Sequence, residues 1–508
     1  MSTTDNHFFS KEALHAVPWL LIGKLATFIL YFLISILIVR NLSPADFGSY
    51  TLLTSLAEYL IVICGLGINF ALLRYIPELT TLNSFGSVKK LLAEAALIQT
   101  AMVILCGTAL YASGQYFSQF LHIPMQHYAV YILFLLSAFL LKEYLNNVCT
   151  AFFKSKLLAV MSILQAAFFL LFLAPFSAAH TASIERIVIV YGGSIWLSSL
   201  ATLYFLVSFL MGKPGRQNET TIKRGRFYQF SLPLMTRSIM NRLIEQYSEI
   251  FFLGYFAGAA AAGYYALGSY IPQMMISMLP LTLHTLLTSA SAEAYVKNPK
   301  SLPFLISGLY QMLILLCVPI ACFGLFFSKD LIVLIYGKEM LQAGYLAAFF
   351  SVFKVLNLVW VPLSIGLTAK EKNFQTLWLD LLPVALTLPL DYLLIPKYGL
   401  WGAVTAVSLV FLSTLPFKLW AISKLLGGIY FPLHFLLKIL FPALLLGVVL
   451  KLFNPLQHIL MIVPVLLLYF ALFTLCLKQF RIIKPADMEK FQTVGIDSFN
   501  KLIHFFTT

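Results

Sequence analysis

Charged residues are scarce in this chain of 508 residues: Asp, Glu, Lys and Arg together make up 11% of it, whereas 60% of the residues are hydrophobic. The mean hydropathy is +0.89. This composition excludes a soluble globular protein of several domains. No polar stretch between the hydrophobic runs is long enough for a separate soluble domain, which excludes a soluble enzyme. The chain is therefore expected to fold in a membrane.

Sequence patterns of the common chemical sites are also missing. The six cysteines all lie in hydrophobic runs and form no C-x-x-C pair, so neither a disulfide framework nor a zinc site is indicated. The chain has no G-x-x-x-x-G-K-[ST] loop and no H-E-x-x-H motif. The net charge of +14 comes without the basic, aromatic-interleaved segments typical of nucleic-acid binding. We expect no enzyme activity, no catalytic residue, no metal and no nucleic-acid partner.

Hydrophobic runs that could cross a bilayer, which takes about 20 helical residues, recur along the whole chain. The first run lacks the features of a cleaved signal peptide and is expected to remain as a helix. The predicted fold class is an all-α polytopic membrane protein. Its fourteen candidate spans are 16–39, 47–71, 90–112, 127–151, 157–175, 187–211, 228–255, 263–289, 303–327, 341–367, 374–395, 399–417, 431–450 and 456–477.

Lys and Arg are distributed unevenly between the predicted loops. Twenty-two of them lie in the N-terminus, the even-numbered loops and the C-terminal tail, whereas six lie in the odd-numbered loops. Loops rich in Lys and Arg stay on the cytoplasmic side of a membrane. Both termini are therefore predicted to face the cytoplasm.

An internal repeat relates the two halves of the chain. The segment FGSY at 47–50 opens the second span, and AGYY at 262–265 opens the eighth span 215 residues later. Three further short matches follow in chain order within six residues of that offset. Six helices return the chain to its starting side, so spans 1–6 and 7–12 are expected to form two bundles. A pseudo-two-fold axis along the membrane normal would relate these bundles.

The repeat sets the predicted division of the chain. Spans 13 and 14 lie outside the repeat, and the basic loop between spans 6 and 7 connects its halves. The predicted parts are an N-terminal six-helix lobe at 1–211, a basic cytoplasmic linker at 212–227, a C-terminal six-helix lobe at 228–426, helices 13 and 14 at 427–477 and a cytoplasmic tail at 478–508.

Charged side chains inside the spans are the candidate binding residues. Each costs roughly 2.5–3.5 kcal/mol at a helix centre, so it should face protein or a hydrated cavity. Span 7 carries Arg237, Arg242, Glu245 and Glu249. The last three form one stripe at i, i+3 and i+7, while Arg237 lies about 140° around the helix from Arg242. This stripe could form a salt-bridge ladder between helices or the wall of a cavity that binds a polar substrate.

Polar residues at corresponding positions of the two halves favour a central site. Lys24 of span 1 corresponds to position 239, between Arg237 and Arg242, so each half places a cation in its first helix. Glu58 corresponds to Gln273. Lys24 lies only one-third along its span, however, and its amine could reach the cytoplasmic face instead.

Other charges inside the spans are weaker candidates. Those expected near the cavity are Lys142 and Glu143 of span 4, Lys354 of span 10 and Asp380 of span 11. Asp391 and Lys438 lie near span ends and are expected to be hydrated.

Several segments carry a family likeness. The segment RNLSPADFGSY at 40–50, followed by GLG at 65–67 and RYIPEL at 74–79, resembles the amino-terminal signature of the O-antigen and polysaccharide flippases (Wzx type). These belong to the multidrug/oligosaccharidyl-lipid/polysaccharide exporter superfamily. In the second half, 262–265 and 395–403 are similar to the corresponding turns. The likeness extends from about residue 15 to 475 and includes the fourteen-helix plan.

The resemblance implies a flippase of the bacterial inner membrane. Its substrate would be an undecaprenyl-diphosphate-linked oligosaccharide, such as an O-antigen (lipopolysaccharide) or exopolysaccharide repeat unit, moved to the outer leaflet by alternating access. Lys24, Arg237 and Arg242 match basic residues that line the cavity in relatives. The implied partners are the lipid-linked substrate, membrane lipids and other polysaccharide-assembly membrane proteins. No cofactor is implied, and a proton gradient, a sodium gradient or the membrane potential could drive transport.

One departure from the family pattern concerns coupling. Many members carry an acidic residue where this chain has Gly65, which puts cation coupling through that point in doubt. A cation-coupled drug or small-molecule antiporter of the same superfamily is the first alternative function, with Glu58, Glu245, Glu249 and Asp380 as ion sites. A membrane-embedded polysaccharide polymerase or ligase is a weaker alternative, because the loops at 112–126 and 328–340 are short and lack a paired acid and base.

Overall fold

The computed structural model describes residues 6–121, 124–179, 181–213, 224–242, 248–276, 302–370, 372–428, 430–453 and 456–479. Within these ranges the backbone forms helices joined by short turns, and no strand occurs. The chain divides into two compact units, 1–263 with 387–403 and 264–386 with 404–508.

Ten helices of the first unit have their bounds within its described residues. They are α1 (Asn6–Asn41), α2 (Pro44–Gly65), α3 (Ile68–Thr81), α4 (Phe85–Ala112), α5 (Gly114–Leu121), α6 (Met125–Ala151), α7 (Ser155–Ala178), α8 (Ile184–Met211), α9 (Arg224–Arg242) and α10 (Ser248–Phe256). The next helix, α11, is described over 259–276 and begins in this unit.

The described part of the second unit contains six further helices, one of which it shares with the first unit. They are α12 (Leu302–Tyr336), α13 (Leu341–Asn357), α14 (Trp360–Ala369), α15 (Asn373–Leu426), α16 (Leu433–Leu452) and α17 (Ile462–Gln479). Residues 387–403 of α15 belong to the first unit.

Eleven helical stretches in the described residues are long and apolar enough to cross a membrane. One of them, Trp378–Leu426, covers most of predicted span 11 and all of span 12. The predicted spans 7 and 8 include 243–247 and 277–301, which lie outside the described residues. The chain is therefore a multi-pass membrane protein, and the predicted all-α fold class is confirmed.

Two helix ends in the first unit follow directly from the sequence. The Ser43 hydroxyl accepts a hydrogen bond from the Asp46 backbone N–H at 3.1 Å, and Pro44 occupies the first turn, so α2 starts here. Its C-terminal end is the segment Leu66-Gly67, where φ is 47° and 66°. The predicted span 47–71 is thus two helices, because the backbone turns left-handed at these two residues.

The break between α2 and α3 is set by close packing on α9. A Cβ atom at Gly67 would lie 2.0 Å from the backbone oxygen of Ser231, so no larger residue fits there. Beyond the break, α3 buries Leu72, Tyr75 and Leu79 against helices α4, α6, α8 and α9. The Tyr75 hydroxyl donates to the backbone oxygen of Arg226 at 3.3 Å. These contacts hold α9 beside the break.

Helix α15 bends where the sequence separates spans 11 and 12. Gly399 has φ 54° and ψ −126°, which breaks the helical path. A Cβ at Gly402 would lie 2.3 Å from the backbone oxygen of Leu394, so the turn also needs glycine at this second position. The segment PKYGLWG at 396–402 therefore forms the predicted turn.

The core of the second unit surrounds α12. Leu305, Ile306 and Leu309 are buried with Ile439 of α16, and the Tyr310 hydroxyl donates to the backbone oxygen of Val359 at 2.7 Å. An ion pair between Asp330 and Lys451 also joins α12 to α16.

Candidate substrate-binding cavity

A cavity of about 280 Å³ lies in the first unit, where α2, α3, α6 and α9 meet. Its wall combines apolar side chains with polar ones and with backbone exposed at the helix break. The lining residues are Ile61, Val62, Gly65, Gly67, Asn69, Phe70, Glu143, Met235, Ser238 and Arg242.

The helix break gives this cavity part of its polarity. Gly67 and Asn69 stand at the start of α3, and both line the cavity. The first N–H groups of a helix have no intrahelical acceptor, and the helix N-terminus carries a partial positive charge. The break therefore places at the cavity both the first residues of α3 and, through Ile61, Val62 and Gly65, the last turn of α2.

Arg242 supplies the cation of the cavity wall. Met235, Ser238 and Arg242 are spaced i, i+3 and i+7 on α9 and form the stripe of that helix that lines the cavity. Arg242 Nη1 lies 3.3 Å from Glu58 Oε2, and the two side chains are 30% and 35% exposed. Because the pair is one-third exposed, Arg242 is neither directed away from the cavity nor enclosed in a dry core.

A chain of polar side chains fixes the opposite wall. Gln99 Nε2 donates to Asn69 Oδ1 at 2.9 Å, and both side chains are buried. Glu143 is close enough to both Asn69 and Arg242 to interact with them electrostatically. Asn69 is therefore held in one orientation, with Glu143 beside the cation.

Lys142 is a second cation near the cavity, and Lys24 stands on α1 of the same unit. Lys142 interacts electrostatically with Glu58. Lys24 is exposed, and it lies on one stripe of α1 with Thr27 and Tyr31. The Tyr31 hydroxyl accepts a hydrogen bond from Gln165 Nε2 at 2.6 Å and is itself close to Glu58.

The charges near the cavity are balanced in number. Lys142 and Arg242 are two cations, and Glu58 and Glu143 are two carboxylates. Of the two cations, only Arg242 lines the cavity. Its guanidinium is therefore the group that an anionic ligand in this cavity would meet.

The remaining residues of span 7 occupy different places. Arg237 is half-buried and lies outside the cavity-lining stripe, as its angular offset from Arg242 predicts. Glu249 is buried, 2% exposed, and accepts a hydrogen bond from the Ser248 hydroxyl at 3.2 Å. Glu245 lies outside the described residues.

The three candidates in the second unit have their own surroundings. Lys354 Nζ lies 5.9 Å from the ring centroid of Phe350. Gln273 is half-buried on α11. Asp380 Oδ1 lies 2.9 Å from Lys418 Nζ, and this ammonium also stands 5.2 Å from the ring centroid of Trp360. Asp380 is thus part of an ion pair between the two arms of α15.

The expectation that Asp391 is hydrated is wrong. Asp391 is 0% exposed, because the segment after 387 packs against α10, with the Tyr392 ring 5.9 Å from that of Phe256. The Ser248 hydroxyl approaches Asp391 closely enough to interact, but neither carboxylate oxygen receives a hydrogen bond of good geometry within the described chain. Lys438 is half-buried.

Residues 13–292 match the family model described as "Polysaccharide biosynthesis protein". The chain belongs to this family. The match covers more than half of the chain and includes every residue that lines the cavity. It confirms the family likeness seen in the segments at 40–50, 65–67 and 74–79.

Similar proteins are found both by sequence and by fold. An uncharacterized membrane protein of Methanocaldococcus jannaschii is 18% identical over 447 residues, covering 82% of this chain and 85% of that protein. The solved structure of the lipid II flippase MurJ in an inward closed conformation superposes with a TM-score of 0.67 at 13% identity, covering 93% of this chain and 99% of MurJ.

A second similar solved structure is that of a transporter. A multidrug resistance MATE family transporter of the MOP superfamily, in an inward-facing conformation, superposes with a TM-score of 0.60 at 15% identity. The alignment covers 80% of this chain and 99% of that transporter. At these identities the likeness establishes the fold that this polysaccharide biosynthesis protein shares with both.

Sequence reasoning missed three polar residues of the site. Asn69 and Ser238 line the cavity, and Gln99 orients Asn69. A signal for Asn69 was available, because it directly follows the glycine pair that breaks the membrane helix, and broken helices form binding sites in transporters. Among the described residues, no group of three or more His, Cys, Asp or Glu is placed to hold a metal ion.

Proposed function

We propose that this member of the polysaccharide biosynthesis family flips an undecaprenyl-diphosphate-linked oligosaccharide from the cytoplasmic to the outer leaflet of the bacterial inner membrane. The oligosaccharide would be an O-antigen or exopolysaccharide repeat unit. The observation that carries the proposal is the cavity in which Arg242 meets a broken membrane helix. Both features bind anions, and family membership ties the chain to polysaccharide assembly.

The chemistry of the substrate head matches these groups. A diphosphate diester carries about two negative charges, and a guanidinium binds phosphate oxygens through two parallel N–H bonds. The guanidinium of Arg242 would offset part of the hydration that the diphosphate loses on entry. The neutral sugars would need the hydroxyl and amide groups that Asn69 and Ser238 supply.

In this proposal Glu58 is the anion that pairs with Arg242 before the substrate binds. Its carboxylate pairs with Arg242 at 3.3 Å, in the position that a phosphate oxygen would take. A diphosphate that enters the cavity would compete with Glu58 for the guanidinium. Exchange of one anion for the other would link substrate binding to the contact between α2 and α9.

The membrane potential can supply the driving force. Moving two negative charges outward through an inside-negative potential releases roughly 4.6 kcal/mol per 100 mV, at about 2.3 kcal/mol per charge. Export of the diphosphate therefore needs no coupled ion on energetic grounds.

A complementation experiment tests the proposed function. Deletion of the gene in its native host should cause lipid-linked oligosaccharide to accumulate in the inner leaflet. The export rate restored by Arg242→Ala should be about tenfold or more below that restored by the wild type, because a hydrogen bond to a charged group is worth about 1.5–3 kcal/mol. Arg226→Ala is the matched control, since Arg226 lies on the same helix and pairs with Glu78 at 3.0 Å but does not line the cavity.

The same experiment can overturn the proposal. No accumulation in the deletion strain, or equal rescue by Arg242→Ala and the wild type, would count against a diphosphate in this cavity. The antiporter is the second candidate, because Glu143 lines the cavity and Glu58 pairs with the cation there. It predicts the opposite order, in which Glu58→Gln and Glu143→Gln abolish transport and Arg242→Ala is tolerated.

A further inference from the structure

Two lysine side chains converge on one aromatic ring at an end of the first unit, and a third lies beside them. Lys154 Nζ lies 4.4 Å and Lys213 Nζ 5.8 Å from the ring centroid of Phe209. Lys213 Nζ also lies 5.8 Å from the centroid of Phe85. Lys89 Nζ donates to the backbone oxygen of Lys213 at 3.0 Å, so its ammonium joins the same group. We call these three lysines the basic cluster.

The basic cluster is assembled from the ends of four helices. Lys89 stands in the first turns of α4, Lys154 in the turn between α6 and α7, and Lys213 just beyond the end of α8. All three are in even-numbered loops, which the distribution of Lys and Arg predicts to be cytoplasmic. These helix ends lie together, as expected if the even-numbered loops are all on the same side of the membrane.

The cluster has no anionic partner in the part of the chain that the structure describes. All three lysines are exposed, and none of them forms an ion pair with a described carboxylate. The ring of Phe209 attracts two of the ammonium groups by its π face, which holds like charges near one another. A negatively charged ligand would reduce the repulsion between these ammonium groups, which no carboxylate of the described residues offsets.

Apolar side chains adjoin the cluster on the outer surface. Met211 is 72% exposed and Tyr204 is 70% exposed, and they share one stripe of α8 that ends next to Lys213. Phe153, beside Lys154, is 69% exposed. Large apolar side chains exposed on a membrane helix contact lipid, and lysine at the end of such a surface is at headgroup depth.

We propose that the basic cluster binds the phosphate of an anionic membrane phospholipid, of the phosphatidylglycerol class, with the acyl chains along the exposed stripe of α8. The lysines bind the phosphate as point charges, and the ring of Phe209 keeps two of them in place. The apolar stripe distinguishes a lipid from a free phosphate, because only a lipid covers it. This site does not include any residue that lines the cavity, so it is independent of the proposed flippase function.

A lipid titration of the purified full chain tests this proposal. Phosphatidylglycerol binding is measured by native mass spectrometry in detergent, with phosphatidylcholine as the zwitterionic comparison. Lys154→Gln and Lys213→Gln should each weaken phosphatidylglycerol binding about fivefold, since one lysine near an anionic surface contributes about 1 kcal/mol. Binding of phosphatidylcholine should be the same in all variants.

The matched control is Lys90→Gln. Lys90 is exposed and lies next to Lys89, but it has no ring contact in the described chain. Its substitution should change phosphatidylglycerol affinity less than twofold. An equal loss for Lys90→Gln would show that diffuse charge, rather than a site, attracts the lipid. Equal affinity for both lipids, or displacement of phosphatidylglycerol by inorganic phosphate at the same concentration, would also overturn the proposal.

Discussion

Arg242 shows how a single residue in this cavity combines two roles that the sequence left as alternatives. Its guanidinium pairs with Glu58, as in a salt-bridge ladder, and it also lines the cavity. The pair is one-third exposed, so its contribution to folding is small compared with that of a buried pair. Its effect on ligand affinity should therefore exceed its effect on stability.

The polar chain at Gln99 gives a stability prediction. Gln99→Leu removes the donor to the Asn69 oxygen and leaves a buried acceptor unpaired in the membrane. We expect the free energy of unfolding to fall by about 0.6–2 kcal/mol. Thermal unfolding of the purified variant measures this, with Thr100→Val as the control, because the exposed Thr100 hydroxyl bonds only to its own helix at Ala96. Equal midpoints for both variants would contradict the role of Gln99.

Two aspartates of α15 should respond oppositely to the same substitution. Asp391 is fully buried without a well-formed hydrogen bond, so Asp391→Asn removes an unpaired carboxyl and should keep or raise the unfolding midpoint. Asp380→Asn breaks the pair with Lys418 and should lower the midpoint. Calorimetry or dye-based unfolding of the two variants checks the order, and a lower midpoint for Asp391→Asn than for Asp380→Asn would contradict it.

How much of the site could be predicted depends on which signal each residue carries. Arg242 and Glu58 could be found because charge inside an apolar span is rare, and Arg237 could be separated from Arg242 by helical spacing alone. Asn69 and Ser238 are uncharged, and similar residues in other spans face neighbouring helices, so composition does not mark them. Asp391 was misjudged because distance along the span does not reveal that a following turn folds back and buries it.

At the level of helices, α2 and α11 pack closely through two glycines that occupy corresponding positions of the repeat. A Cβ at Gly263 of α11 would lie 3.0 Å from the backbone of Gly48 in α2, and a Cβ at Gly48 would lie 1.7 Å from the backbone oxygen of Ala259. The sequence repeat pairs these same two positions. The helices α2 and α11 can approach this closely only because neither residue has a side chain.

Substitution at this contact should separate the two helices. Gly48→Ala should lower the free energy of unfolding by about 1–3 kcal/mol, because a backbone oxygen cannot move aside as a side chain can. Gly193→Ala in α8 is the matched control, since a Cβ there meets nothing within 4 Å. Thermal unfolding midpoints of the two purified variants provide the measurement. Equal unfolding temperatures for Gly48→Ala and Gly193→Ala would contradict the close approach of α2 and α11.

The elements themselves were largely predictable, and the exceptions have a local cause. Long apolar runs with Pro or Gly between them gave most helices, and Pro396 and Gly399 marked the turn between spans 11 and 12. The break at Leu66 was not predicted, because apolar residues continue through it and a Gly-x-Gly pair also occurs in unbroken packed helices. What forces the break is the tertiary approach of Ser231 to Gly67, which no local pattern contains.

On the scale of the whole molecule, the distribution of Lys and Arg predicts the membrane orientation. Lys213 and Lys397 are both exposed, but they lie in loops predicted to be on opposite sides. In a variant without native cysteines, Lys213→Cys should react with a membrane-impermeant thiol reagent only after the membrane has been permeabilised. Lys397→Cys should react in intact spheroplasts. The reverse pattern would place the termini outside the cytoplasm.

The central claim is that cations beside a broken helix bind the diphosphate of a lipid-linked oligosaccharide while it crosses the membrane. The most direct measurement is translocation of that lipid by the purified protein in vesicles, with an imposed inside-negative potential and without one. The account predicts outward movement that the potential accelerates, that Arg242→Ala slows about tenfold or more, and that Arg226→Ala leaves unchanged. Translocation that is equally fast with Arg242→Ala and with the potential abolished would contradict it.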